Sequence, residues 1–251
     1  MFEKREAAHL VFAILLVAYL IAFSNFTLAG FLLALIFSIL IIVPHVISHK
    51  IAARYYISEA KFKLLEWKRY WLFEDSEFRH PFPIWLVLPV AAAFLTLGKL
   101  KLFMIETFEL KWTAERRIGR WFPEMQDREI AIIALAGPMT NLFLAFMAGA
   151  IYSATSFDTL KDFAIFNAWF AFFSLLPIGG LDGTKVLFGG KIRWMFFFGF
   201  TCAFLALLYI INVYVTFILA LLFAALLALW FFSGEIPRRT TRIPPGIIAG
   251  K

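Results

Sequence analysis

Seven apolar runs, most of them about 20 residues long, constrain this chain more than any other feature. They fall at about 7–23, 28–49, 83–103, 129–154, 161–177, 193–211 and 213–232. A helix of about 20 apolar residues crosses the roughly 30 Å hydrocarbon core of a bilayer. The fold class expected is therefore all-α, a polytopic membrane protein. Composition agrees: 62% of residues are hydrophobic and 16% charged, against about 45–50% apolar in soluble domains. The charges gather in 50–82, in 104–128 and in a polar tail from Ser233 that contains Pro237, Pro244 and Pro245. The net charge of +7 comes from basic residues flanking apolar runs, which the positive-inside rule explains. No basic stripe carries interleaved aromatics, so no nucleic-acid partner is expected. A single cysteine, Cys202, excludes an intrachain disulfide. The first run follows Lys4 and Arg5 and ends in Phe23-Ser24-Asn25-Phe26, a poor cleavage site, so it reads as a retained span.

Lys and Arg set the expected topology. With Lys4 and Arg5 in the cytoplasm, the second run returns and ends at Lys50 and Arg54, and 50–82 is a cytoplasmic loop. If 83–103 crosses fully, the loop with Lys111, Arg116, Arg117, Arg120 and Arg128 lies outside, as does the tail with Arg238, Arg239 and Arg242. If 83–103 dips in and returns, Lys161 alone of the 24 Lys and Arg residues sits in an external loop. Pro89, Gly98, Lys99 and Lys101 within this run favour a broken insertion. The expectation is six crossings, one re-entrant segment and both termini in the cytoplasm.

Three short motifs carry the chemistry. The second run contains Pro44-His45-Val46-Ile47-Ser48-His49. Histidines four apart project from one helix face and make a standard half-site for zinc; two histidines at a helix end reaching the interface are the plainer alternative. The fifth run breaks at Pro177-Ile178-Gly179-Gly180-Leu181-Asp182-Gly183. In the topology above, Asp182 reaches the level of His45 and His49. Two imidazoles, one carboxylate and one open position form a catalytic-type zinc site, although Asp before Gly also forms ordinary turns. The fourth run contains Gly137-Pro138-Met139-Thr140-Asn141. Gly137 and Pro138 interrupt a helix within the membrane, freeing backbone groups to line a cavity. Asn141 suits a bond to a neighbouring helix or an extended peptide; a plain kink with an interhelical Asn is the other reading.

In this order the three motifs resemble the site-2 protease family of intramembrane zinc metalloproteases, with its His-Glu-x-x-His helix, Gly-Pro-x-x-Asn helix and Pro-x-x-x-Leu-Asp-Gly turn. Ile47-Ser48-His49-Lys50 and Asn167-Ala168-Trp169 look like archaeal members. The resemblance covers about 28–190. It implies that zinc is the cofactor, with His45, His49 and Asp182 as its ligands. Gly137, Pro138, Asn141, Ser174, Pro177 and Gly183 would line the site. It also implies a metal toward the cytoplasmic side, and partners that are the lipid bilayer and transmembrane helices of substrate or client proteins. The chain then divides into an N-terminal transmembrane helix (1–27), a site-2-protease-like core (28–190), a C-terminal helix pair (191–232) and a cytoplasmic tail (233–251).

The departures matter. The family's glutamate, its general base, is Val46 here. Valine accepts no proton, and general acid–base catalysis is worth about 10²–10⁴-fold. The family's Asn three residues before the turn proline is Ser174, and Gly179 and Gly180 stand where close relatives often have Pro. Glu59, Glu66 and Glu74 follow the histidine helix, but nothing in the sequence places them near a metal. The expected function is a catalytically impaired pseudoprotease that binds membrane helices. The alternatives are an active intramembrane metalloprotease and a metal or solute transporter.

Overall fold

The computed structural model describes residues 3–69, 77–112 and 124–235. Glu74, Arg116, Arg117, Arg120 and the tail residues Pro237, Arg238, Arg239, Arg242, Pro244 and Pro245 lie outside the described residues. The chain begins with a helical hairpin, α1 (Lys4–Ala22) and α2 (Leu28–Tyr55), joined by a 3-10 turn at Phe23–Asn25. Thr27 starts α2, its hydroxyl accepting from the Gly30 amide at 3.0 Å. Then come β1 (Glu59–Leu64), β2 (Trp67–Arg69), β3 (Glu77–Phe82), α3 (Ile84–Leu95) and β4 (Glu106–Lys111). Five helices close the described chain: α4 (Asp127–Thr155), α5 (Asp158–Ser174), α6 (Asp182–Gly189), α7 (Lys191–Leu208) and α8 (Val213–Glu235).

Helices α1, α2, α4, α7 and α8 are long and apolar enough to cross a membrane. The molecule is thus a mostly helical membrane protein. Helix α5 has 17 residues and opens with Asp158, Lys161 and Asp162, which leaves it shorter and more polar than those five.

The charged segments are more structured than the loops expected there. Strand β1 pairs antiparallel with β4, and β2 with β3. The β1–β4 pairing joins residues more than 40 positions apart, such as Phe62 opposite Phe108 and Leu64 opposite Glu106. No local periodicity marks such a partnership. Ala60, Phe62 and Leu64 of β1 turn inward, as do Glu106 and Phe108 of β4.

Between these strands the chain makes an excursion that begins and ends at one residue. The Trp85 amide donates to the Leu65 carbonyl at 3.0 Å, and the Leu65 amide donates to the Ile105 carbonyl at 2.9 Å. Pro89 does not break this segment but sits inside α3. The break comes later, where Leu97 and Gly98 both take positive φ. Gly98 meets the end of α1, its carbonyl accepting from the Ser24 hydroxyl at 3.1 Å. A Cβ on Gly98 would lie 2.7 Å from that hydroxyl, so both the dihedral and the space require glycine.

Helix α4 is the hub, packed against α2, α5 and α6. Its buried face includes Ala131, Ala134, Gly137, Asn141, Ala145, Ala148 and Gly149. Small residues at three- and four-residue spacing let helix backbones approach closely in a membrane.

Candidate metal centre

Successive turns of α2 carry His45 and His49, and their Nε2 atoms lie 2.9 Å apart. Asp182 is the first residue of α6, and its Oδ2 lies 3.1 Å from His49 Nε2 and 3.3 Å from His45 Nε2. All three side chains are buried. Ligand atoms at about 2.0–2.2 Å from a tetrahedral metal are roughly 3.3 Å from one another, close to the spacing found here.

The opposite edge of each imidazole shows why these donors suit a metal. His45 Nδ1 lies 2.9 Å from Asn141 Oδ1, and His49 Nδ1 lies 2.7 Å from the Ile133 carbonyl oxygen. Asn141 donates through Nδ2 to the Ile41 carbonyl at 3.4 Å, which turns its oxygen toward His45. Both partners only accept, so each Nδ1 carries the hydrogen and donates it. Each Nε2 then presents a lone pair. Two lone pairs and a carboxylate facing one another at about 3 Å repel unless they share a cation. Imidazoles anchored in this way through the far nitrogen are the usual form of metal-binding histidine. Asp182 Oδ1 has no hydrogen-bond partner among the described residues, and Lys185 Nζ stands 3.6 Å away. Burial pushes the Lys185 ammonium below its ordinary value, and Asp182 and Glu106 draw it back only in part.

Of the other residues expected at the site, Gly137 touches it most closely. A Cβ there would overlap the Nε2 atoms of both histidines. Pro138 follows inside α4, and Asn141, one turn on, orients His45. Gly183 lies against the Leu175 carbonyl with no room for a Cβ, so it seats α6 on the end of α5. Ser174 is buried at the end of α5, whereas Pro177 is exposed. Neither lines the pocket beside the ligands. Gly179 and Gly180 take φ of 58° and 93°, values closed to proline, which accounts for glycine at the two turn positions.

Glu106 is the group that sequence spacing did not reveal. Its Oε1 lies 2.9 Å from His45 Nε2. The side chain is 6% exposed, and neither carboxylate oxygen has a hydrogen-bond partner among the described residues. By contrast, Glu59 is exposed at the start of β1, and Glu66 is half-buried beside Lys63 at 3.9 Å. The signal for Glu106 is the alternation in Glu106-Thr107-Phe108-Glu109-Leu110, which sets one glutamate on the face of Phe108. Strand β4 is held across the site by Thr107, whose hydroxyl donates to the Gly180 carbonyl at 2.7 Å and accepts from Lys185 Nζ at 2.9 Å. Val46, His49, Glu106, Phe108 and Asp182 share a small pocket, with space for about one water.

A protein of Methanocaldococcus jannaschii, provisionally named a zinc metalloprotease, is 27% identical over 199 residues, which cover 77% of this chain and 88% of that protein. This chain is similar to a protein that carries that provisional name. No family model and no solved structure matches it. The buried His-His-Asp group and this similarity together make zinc the cofactor that the site suits.

Proposed function

We propose that the chain is an intramembrane zinc metalloprotease of the site-2 type, cutting transmembrane helices of other membrane proteins. The convergence of His45, His49 and Asp182 within 2.9–3.3 Å carries this reading. These three would hold the ion, with Asn141 and the Ile133 carbonyl fixing the imidazole orientations. When bound, zinc supplies Lewis-acid activation of a peptide carbonyl and of water. The excursion that leaves and returns at Leu65 supports a re-entrant 83–103. With α5 as a sixth, shorter crossing, both termini and the metal fall toward the cytoplasm.

A second reading, a pseudoprotease that binds helices without cutting them, is favoured by one observation. Val46, buried beside His45, holds the position where the resemblance expects the general base. The two readings separate in one experiment on the full chain in lipid nanodiscs, measuring zinc content and cleavage of a model transmembrane helix. About one zinc per chain and zinc-dependent cleavage are expected, with His49→Ala abolishing both. Zinc without cleavage selects the pseudoprotease, and no zinc in the wild type sinks both.

A further inference from the structure

We propose that Glu106 is the catalytic carboxylate of this site, replacing from a strand the group that α2 lacks at Val46. The inference rests on the metalloprotease reading. A buried carboxylate with no donor costs free energy, so an unsatisfied one calls for an explanation such as a catalytic role. Glu106 is such a group, on an inward face otherwise made of Ala60, Phe62, Leu64 and Phe108.

Its position argues against a fourth ligand. The donor atoms of His45, His49 and Asp182 all lie within 4.8 Å of one another, and Glu106 is not part of that group. It approaches the His45 Nε2 edge alone, at 2.9 Å. It also lines the water-sized pocket together with Asp182 and Val46. A general base belongs there, within reach of the attacking water while leaving an open ligand position. The strand is fixed by its register with β1, Leu64 opposite Glu106, and by Thr107 bound to Gly180 and Lys185. Val46 complements this arrangement, since a carboxylate there would crowd a third carboxylate into the pocket that Glu106 and Asp182 already share.

The proton balance is simple. Glu106 accepts one proton from water as the water oxygen bonds to the carbonyl carbon of the scissile peptide and the C=O π bond opens, to re-form when the amine leaves. The C–N bond then breaks, and Glu106 passes that proton to the leaving amine. No oxidant or further reactant is needed.

The test compares wild type, Glu106→Gln, His49→Ala and Glu109→Gln, the last altering a carboxylate on the outer face of β4 paired with Lys63 at 2.9 Å. Zinc affinity, cleavage of a model transmembrane helix and binding of a hydroxamate are measured, with thermal unfolding as a check that each variant is folded. A hydroxamate chelates zinc and gives its proton to a neighbouring carboxylate. Glu106→Gln is expected to keep zinc affinity within about threefold, because the ligands remain. It should lower the cleavage rate about 10²–10⁴-fold and weaken hydroxamate about 10–100-fold, the worth of one charge-assisted hydrogen bond. Glu109→Gln should change none of these. Adding Val46→Glu to Glu106→Gln should restore part of the rate, as a carboxylate re-enters the same pocket. Zinc loss in Glu106→Gln as severe as in His49→Ala overturns the proposal by making Glu106 a ligand. Unchanged cleavage or unchanged hydroxamate binding also overturns it. If wild type binds zinc but cleaves no helix, the hydroxamate comparison still decides on Glu106, and only the protease reading falls.

Discussion

Helices α4 and α8 are both long, apolar and of membrane-crossing length, yet the molecule uses them differently. Small buried residues run along α4 from Ala131 to Gly149, against α2, α5 and α6. On α8 the buried side chains reduce to a short stripe that includes Val213, Thr216, Ala220 and Ala224, while Leu222, Leu226, Leu229 and Trp230 face outward. Hydrophobicity alone does not separate the two. Lipid is as apolar as leucine, so a helix that packs on protein along its length is marked by small residues and polar groups. The chemistry follows the packing: α4 supplies Gly137, Asn141 and the Ile133 carbonyl to the histidines.

Substitutions sharpen this contrast. The largest effect is expected for Gly137→Ala, whose methyl group would enter the space of both Nε2 atoms. Overpacking of this kind costs about 1–3 kcal/mol, and zinc should be lost at micromolar concentrations because both ligands are displaced together. Normal zinc binding by Gly137→Ala would show that α4 stands farther from α2 than this contact requires. Asn141→Ala comes next. It removes the acceptor for His45 Nδ1, and loss of such a partner lowers metal affinity about 10–100-fold; competition with a chelator of known affinity reads this out. The smallest effect is expected for Leu226→Ala on α8, where the side chain is 67% exposed. Thermal unfolding in detergent should register a change within about 0.5 kcal/mol, with zinc affinity unaltered. A large loss there would mean that α8 is covered by another protein chain rather than lipid.

The helical part of the site could be read from the chain because its signals are local. His45 and His49 share a face through a spacing of four, and Asp182 follows a glycine turn. The Lys and Arg distribution predicts one membrane level for both. Glu106 escaped for the opposite reason. Its partner strand is β1, across the whole 65–105 excursion, and its own residue number lies far from the histidines. The carboxylates that follow α2 closely in sequence are Glu59, Glu66 and Glu74. Only the two-residue alternation of β4 hinted that a glutamate shares the side of Phe108. Helix α5 shows a different limit, one of boundaries: the apolar run spans 161–177, whereas the helix occupies Asp158–Ser174 and begins with charges. Its termination at the buried Ser174 and Leu175 reflects the packing of α6, through Gly183, on the Leu175 carbonyl.

The pair of hydrogen bonds at Leu65 has a mechanical meaning. It works as a drawstring that gathers Trp85 and Ile105, on either side of α3, at one neck. Slack added within α3 would then lengthen the excursion without being transmitted past the neck, and β4 would enter its pairing with β1 from the same starting point. The placement of the strand is set by the knot and not by the length of rope beyond it.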